Sequence, residues 1–223
     1  MNQLESIGDL AHQHFRAKNQ AREESLALSR EALRASANAV RAIHRDDFDG
    51  AEELLVAAAD ALRRAAEALA AHPDVLYAGF VQDAQKEYAE ARATYAIVLG
   101  RQLPGPENLD VTWQAYLNGL GEAAGELRRY ILDKLRHGEV RRGEELLQAM
   151  DDIYDLLVTI DYPDAMTGGL RRTTDMVRGV LERTRGDLTM AARQDHLEGT
   201  LRAFEAKLPR AEETSVGDAP GGS

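Results

Sequence analysis

A helix-forming pattern runs through almost the whole chain and limits what it can fold into. Ala, Leu, Glu and Arg dominate the sequence, and no stretch alternates between apolar and polar residues as a half-buried strand would. Proline, which ends or kinks helices, is confined to six of the 223 positions. The pattern therefore predicts an all-α protein.

Caps and helix breakers divide this pattern into seven predicted helices. Asp46 or Asp47 is placed to cap the second helix, Pro73 suits the first turn of the third, Asp110 caps the fourth and Asp187 opens the seventh. The predicted ranges are 3–43, 47–71, 73–99, 110–136, 142–159, 163–185 and 188–208, with a loop at 101–110. We expect one domain over residues 1–210 and a disordered, polar, glycine-rich tail at 211–223.

Composition excludes several classes of protein. No run approaches the roughly 18 apolar residues of a membrane-spanning helix, and the first ten residues lack the basic-then-apolar order of a signal peptide. The chain has no cysteine, which excludes disulfides, thiolate metal sites and a cysteine nucleophile. We therefore expect a cytoplasmic protein with no membrane partner. The net charge of −11 argues on its own against a polyanion partner, but arginines cluster locally and a few aligned along one groove could neutralise phosphates.

Two acidic pairs stand out on neighbouring predicted helices. Glu87 and Glu90 are three residues apart, and Glu122 and Glu126 are four apart, so each pair lies on one face of its helix. Glu87 also falls in the apolar stripe of its helix, where an unpaired carboxylate is costly. Two such helices packed together would surround a hard divalent cation with oxygen.

Each pair also has a simpler interpretation. Glu122 and Glu126 lie opposite the core stripe of their helix, which is typical of a solvated acidic face. Glu87 would be satisfied by an ion pair with an arginine such as Arg92. Only the two pairs together favour a metal site.

Other common catalytic patterns are missing from the sequence. The six histidines include no Glu-x-x-His pair, which argues against a ferritin-type di-iron bundle, and we interpret all six as structural. The sequence also contains no Gly-x-Ser-x-Gly, Walker A or Gly-x-Gly-x-x-Gly motif. Serine-hydrolase and nucleotide-fold chemistry are therefore excluded.

Three segments resemble the translin/Trax family of all-helical nucleic-acid-binding proteins, and the resemblance covers roughly residues 20–188. They are Ala21-Arg-Glu-Glu24, Glu87-Tyr-Ala-Glu-Ala91 and Tyr116-Leu-Asn-Gly-Leu-Gly-Glu-Ala-Ala-Gly-Glu-Leu-Arg-Arg129. The last segment is similar to the Trax version, in which Tyr-Leu-x-Gly is followed by an acidic residue and then by Gly-Glu-Leu.

The resemblance implies a seven-helix translin-like bundle that assembles into a closed homo-oligomer, such as an octamer, with RNA inside. It also implies that the chain is a Mg²⁺-dependent endoribonuclease acting on single-stranded RNA, with Mn²⁺ as an alternative metal. Glu87 and Glu90 match the Trax Glu-x-x-Glu, Glu126 matches the Gly-Glu-Leu glutamate, and Glu122 stands in the place of an aspartate.

These four glutamates are therefore the predicted metal ligands and catalytic residues. Arg22 matches a basic position of the family on the first helix, and together with Arg129 it is predicted to bind the RNA backbone. The alternative is a translin-type module that binds single-stranded RNA or DNA and cuts neither.

Overall fold

The computed structural model describes residues 3–207, and within this range the chain forms nine helices and no strand. The predicted all-α class is confirmed. In chain order the helices are α1 (Gln3–Ile43), α2 (Phe48–Ala68), α3 (Pro73–Leu76), α4 (Phe80–Val98), α5 (Pro106–Leu109), α6 (Trp113–Arg136), α7 (Val140–Val158), α8 (Asp164–Thr167) and α9 (Leu170–Glu205). The tail predicted at 211–223 lies outside the described residues.

The start of the chain follows the prediction closely. α1 has the predicted bounds, and Asp47 caps α2 by accepting a hydrogen bond from the backbone N–H of Gly50 at 3.1 Å. The predicted third helix is instead two helices, α3 and α4. They are separated at Gly79, whose φ of 97° lies outside the helical region and suits glycine.

The connection before α6 also differs from its prediction. The expected loop contains the single turn α5, and Asp110 ends that turn in a left-handed conformation, so it is not the cap of the next helix. Thr112 caps α6 instead, accepting a hydrogen bond from the N–H of Ala115 at 3.4 Å. A left-handed residue cannot hold the extended backbone that an N-cap needs, which explains the shift.

The last two predicted helices form one continuous helix, α9. Asp187 does not open a helix, since it lies within α9 and the backbone on both sides of it is helical. Its carboxylate forms an ion pair with Arg128 of α6 at 2.8 Å. The helical conformation is interrupted earlier, between α7 and α9. Pro163 precedes the single turn α8, and Gly168 and Gly169 after it both adopt positive φ.

α4 and α6 lie at the centre of the bundle. α1 and α2 pack against each other and against α4, while α7 and α9 pack against each other and against α6. Alanines along α1 and α2 allow a close approach of these two helices; they include Ala32, Ala39, Ala42, Ala51, Ala58 and Ala65, all of them buried. Acidic side chains on the facing sides of α4 and α6 are thereby held close together and partly buried.

Both long terminal helices extend past the core. Large apolar side chains are exposed on the first half of α1 and on the last part of α9; they are Leu4, Ile7, Leu10, Phe15, Met190, Leu197, Leu201 and Phe204. Among the described residues, no helix combines the length and the apolar character that a bilayer crossing requires.

Candidate metal centre

A glycine brings α4 and α6 unusually close together. A Cβ atom at Gly119 of α6 would lie 2.4 Å from the carbonyl oxygen of Lys86 and 2.9 Å from the backbone nitrogen of Glu90, both on α4. Any side chain at this position would therefore force the helices apart. The contact sits beside the acidic residues of both helices and fixes their separation.

Three carboxylates meet at this crossing. Glu87 and Glu90 of α4 and Glu122 of α6 each offer an oxygen, and these oxygens lie within 4.8 Å of one another. We call these three residues the acidic trio. All three are partly buried, and the cluster combines the Glu-x-x-Glu motif of α4 with the first glutamate of the α6 pair.

The electrostatics of the acidic trio are unfavourable without a cation. Burial, followed by repulsion from Glu87, Glu122 and Glu126, raises the pKa of Glu90 to about 8. Burial also raises the pKa of Glu87, an effect that Lys86 opposes and Glu122 reinforces. Partly buried carboxylate oxygens that repel one another fit a hard divalent cation, because such a cation would remove the repulsion.

Lys86 is in direct contact with this cluster. Its Nζ atom donates to Oε1 of Glu122 at 2.7 Å and lies 3.7 Å from Oε1 of Glu87. These contacts hold the pKa of Lys86 above its usual value even though burial acts in the opposite direction. The ammonium group therefore offsets part of the negative charge of the acidic trio.

Glu126, the fourth predicted ligand, has a different partner. His44, at the end of α1, donates from Nε2 to Oε2 of Glu126 at 2.5 Å. This hydrogen bond lowers the pKa of Glu126 against the opposing effect of burial, and the charge of Arg129 lowers it further. Glu126 is therefore a carboxylate at neutral pH and is held in place from the α1 side.

A small cavity of 190 Å³ joins Glu126 to the acidic trio. We call it the α1-side cavity. It is lined by Ser36, Ala37, Val40, Arg41, Glu87, Glu90, Glu126 and Arg129. The Ser36 hydroxyl is buried and, among the described residues, has no hydrogen-bond partner. A buried hydroxyl without a partner beside three carboxylates is suited to hold a water molecule.

The contacts of the acidic pairs differ from those that the simpler interpretations name. Arg92 is not a partner of Glu87, since it donates to both oxygens of Glu52 at 2.9 and 3.0 Å and to the Tyr88 hydroxyl. The face of α6 that carries Glu122 and Glu126 is turned towards α4 and α1, and both side chains are partly buried.

The two predicted RNA-binding arginines lie in different places. Arg129 lines the α1-side cavity, is exposed, and has no ion-pair partner within residues 3–207. Arg22 pairs with its neighbour Glu23 on the exposed part of α1. It precedes Arg41 of the cavity by 19 residues, or about 28 Å of helix at roughly 1.5 Å per residue. Only Arg129 is beside the acidic residues.

Sequence reasoning missed His44 and Lys86. The histidines were interpreted as structural, and His44 contacts Glu126, a residue 82 positions away. No local pattern signals such a contact. Lys86 was detectable in principle, because lysine is rare in this chain and Lys86 directly precedes Glu87.

The chain is similar in sequence to one curated protein and similar in fold to several solved structures. The chain is 34% identical over 173 residues to the uncharacterised protein MJ0175 of Methanocaldococcus jannaschii, and the aligned region covers 77% of this chain and 76% of MJ0175. No family model matches the chain.

Among solved structures, the complex of AfC3PO with duplex RNA superposes with a TM-score of 0.77 at 32% identity, covering 83% of this chain and 96% of AfC3PO. AfC3PO alone gives a TM-score of 0.76 at the same identity, with 83% and 97% coverage. The structure of apo-NeC3PO gives a TM-score of 0.76 at 21% identity, with 86% and 100% coverage, and shows the shared fold.

Proposed function

Because the chain belongs to the translin/Trax family, we propose that it binds RNA and cleaves it with a divalent metal, Mg²⁺ in the first instance. The observation that supports this most strongly is the acidic trio, in which oxygens from two helices lie within 4.8 Å of one another. A trio of partly buried carboxylates that lie close together is costly to maintain and is expected where it serves a function.

Glu87, Glu90 and Glu122 would hold the metal. A divalent cation bound there would supply Lewis-acid stabilisation of the charge that develops on the scissile phosphate. Glu90 would have to lose the proton that its raised pKa retains, so metal binding and proton release are coupled. Lys86 would have to leave Glu122, which frees its ammonium group to pair with a phosphate oxygen of the RNA.

Glu126 would orient the attacking water. Its carboxylate is ionised, is fixed by His44 and opens onto the α1-side cavity together with the Ser36 hydroxyl. A carboxylate and a hydroxyl that line the same small polar cavity can each form a hydrogen bond with one water molecule. Glu126 thus serves as the water-positioning residue, while the other three glutamates serve as ligands.

The substrate of this proposal is RNA, with single strands as the first choice. AfC3PO has been solved in complex with duplex RNA, so duplexes are included in the test. Arg129 has no ion-pair partner among the described residues and lies beside the carboxylates, where it would contact the RNA backbone without reading its sequence. A DNA strand of the same sequence would test whether the sugar matters for binding.

Self-association is part of the proposal. The exposed apolar side chains of α9 include Met190, Leu197, Leu201 and Phe204, which recur at spacings of seven, four and three residues and form one stripe. A stripe of this kind would be covered in a homo-oligomer, and a closed octamer-like shell is the assembly we propose. Light scattering that shows only monomer at micromolar concentration would contradict the shell.

The direct test is cleavage of a labelled single-stranded RNA by the purified full-length protein. We expect products with Mg²⁺ or Mn²⁺ and none with EDTA. Glu87→Gln keeps the size of the side chain but removes a ligand charge, so this variant should bind RNA and not cut it. Glu52→Gln is the matched control, because Glu52 pairs with Arg92 outside the acidic trio. Equal loss of cleavage in both variants would point to damaged folding.

A non-catalytic RNA- or DNA-binding module is the second candidate. It is favoured by the position of Lys86, which already neutralises part of the acidic trio without a metal. Wild-type protein that binds single strands but cuts no RNA under any divalent metal would establish this alternative.

A further inference from the structure

A second and larger cavity lies on the other side of the acidic trio. It has a volume of 520 Å³ and runs between the first turns of α4, α6 and α9. We call it the α4–α6–α9 groove; the residues that define it here are Gln82, Asp83, Lys86, Gln114, Glu122 and Arg172. Lys86 and Glu122 belong both to this groove and to the contacts of the acidic trio, so the two sites are continuous.

The side chain of Asn118 connects helices that line the groove. Asn118, which is 7% exposed, donates to the carbonyl oxygens of Gln114 and Thr167, both at 2.8 Å, and its side-chain oxygen accepts from Thr173 at 2.6 Å. These hydrogen bonds join α6, α8 and α9. Because each of its polar atoms already has a partner, Asn118 shapes the groove and is not available to a ligand.

Other polar side chains of the groove are available. Gln82, Gln114 and Arg172 have no side-chain hydrogen bond or ion pair within residues 3–207. Each glutamine amide can donate and accept, and Arg172 can donate to a phosphate in a bidentate manner. The groove therefore offers one strong anion-binding group, the Arg172 guanidinium. It also offers two side-chain amides, whose rotation lets them form hydrogen bonds with the edge of any base.

The charges of the groove limit the class of ligand. Lys86 and Arg172 are balanced by Asp83 and Glu122, so the groove has no excess of positive charge to attract a polyphosphate. A nucleotide within a strand, with one phosphate and a polar base and ribose, matches this balance better. The volume also falls within the roughly 300–1,000 Å³ of sites for small ligands.

We propose that the α4–α6–α9 groove binds one nucleotide of single-stranded RNA, next to the phosphate that lies at the acidic trio. Arg172 pairs with the phosphate of that nucleotide, and Gln82 and Gln114 bind its base without selecting among bases. The inference rests on the proposed function, because the trio is the site of cleavage only if the protein is a nuclease.

The nucleotide must be unstacked to enter the groove, which lies between three helices. A single strand can turn one base out at little cost, whereas a duplex must break a base pair and two stacking contacts. The groove therefore discriminates between single-stranded and duplex RNA by the free energy of unpairing. Duplex binding, where it occurs, would use other contacts.

The test compares Arg172→Ala with Arg171→Ala in the full-length protein. Arg171 is the neighbouring residue, is exposed, pairs with Asp161 at 3.0 Å and does not line the groove. Binding of a fluorescent single-stranded RNA is measured by anisotropy in EDTA at several salt concentrations. We expect Arg172→Ala to weaken binding about tenfold and to reduce the salt slope by about 0.7, with Arg171→Ala unchanged.

Two further measurements make the inference specific. Gln114→Ala should weaken single-strand binding about threefold with no change of slope, because an amide contacts no phosphate charge. Neither groove variant should change binding of the matching RNA duplex. If thermal unfolding shows that Arg172→Ala is misfolded, Arg172→Gln replaces it.

Arg172 and Arg171 variants that behave alike, or a groove variant that loses as much duplex binding as single-strand binding, would overturn the inference. Wild-type protein that binds no RNA would instead overturn the proposed function itself.

Discussion

Glu90 and Glu126 line the same small cavity, yet their pKa values are shifted in opposite directions. The pKa of Glu90 is raised to about 8 by burial and by the carboxylates around it. The pKa of Glu126 is lowered, chiefly by the hydrogen bond from His44. Glu90 is the more deeply buried of the two side chains, and their neighbours also differ: Glu90 faces other acids, whereas Glu126 faces an imidazole and an arginine.

This difference separates the roles of two residues that look alike in the sequence. Glu126 needs no additional cation, since the protein already supplies its partners. The Glu90 carboxylate has no hydrogen bond or ion pair within residues 3–207 and would gain most from a bound cation. Environment, and not residue type, therefore divides the four glutamates into three candidate ligands and one candidate water-positioning residue.

The largest expected effect comes from Glu90→Gln. Removing a ligand charge should reduce metal-dependent cleavage at least about 1,000-fold, equivalent to roughly 4 kcal/mol of transition-state stabilisation. The same change should stabilise the metal-free fold above pH 8 by about 2 kcal/mol, because a repelled, buried charge is lost. A cleavage assay measures the loss of activity, and urea denaturation measures the gain in stability. A variant that is both inactive and less stable would indicate a structural role.

A smaller effect is expected when the partner of Glu126 is removed. His44→Ala should lower cleavage by about 10–100-fold, the usual range for a residue that orients a catalytic group, with RNA affinity unchanged. His44→Gln keeps an N–H donor and should restore most of the rate. His72→Ala is the control, since His72 lies at the start of α3, away from the four glutamates. Failure of the glutamine variant to recover activity would exclude positioning by hydrogen bond.

The two pKa shifts also predict separate pH dependences of stability. Between the unfolded pKa of 4.5 and the folded pKa of about 8, folded Glu90 retains a proton that the unfolded chain releases. The free energy of unfolding of the metal-free protein should therefore fall by up to about 5 kcal/mol as pH rises across this window.

Glu126 acts in the opposite sense, and its contribution is lost only as pH falls below 4.5. Denaturation in EDTA at several pH values, repeated with Glu90→Gln, measures the contribution of Glu90 to the pH dependence of the free energy of unfolding. Mg²⁺ should restore stability most at alkaline pH. Identical profiles for wild type and variant would refute the assignment.

The smallest effect distinguishes the two arginines. Arg129→Ala should weaken RNA binding and reduce the salt slope by about 0.7–0.9, the value for one phosphate contact. Arg22→Ala was predicted to do the same, and the structure gives it a smaller expected effect, because Arg22 pairs with Glu23 far along α1. Affinity measured at several salt concentrations tests both. An unchanged salt slope for both variants would show that neither arginine contacts an RNA phosphate.

Local patterns were enough to predict the helical class and part of the site. The bounds of α1, the cap at Asp47 and the apolar face of α6 all follow from residues close together in the chain. The Glu-x-x-Glu motif of α4 likewise places Glu87 and Glu90 on one face. These features depend on helix periodicity and capping, which a sequence displays directly.

Features that depend on distant contacts could not be predicted in this way. Asp187 resembles a helix start in sequence, but its ion pair with Arg128 holds it within α9. Glu122 resembles a surface residue until α4 is packed beside it. His44 and Glu126 meet only because α1 ends next to the middle of α6. Pairings of this kind are set by tertiary packing, for which a single sequence carries no periodic signal.

In a metal site of the proposed kind, the contact at Gly119 would influence which size of ion fits. The separation of α4 and α6 is fixed where a missing side chain lets two backbones touch, and that separation sets how far the oxygens of Glu87 and Glu90 lie from those of Glu122. Mg²⁺ requires oxygens at about 2.0–2.1 Å, whereas Ca²⁺ accepts roughly 2.3–2.6 Å. A methyl group at position 119 would spread the helices and favour the larger ion. In a site of the proposed kind, the choice of metal would thus be made by a residue that has no side chain.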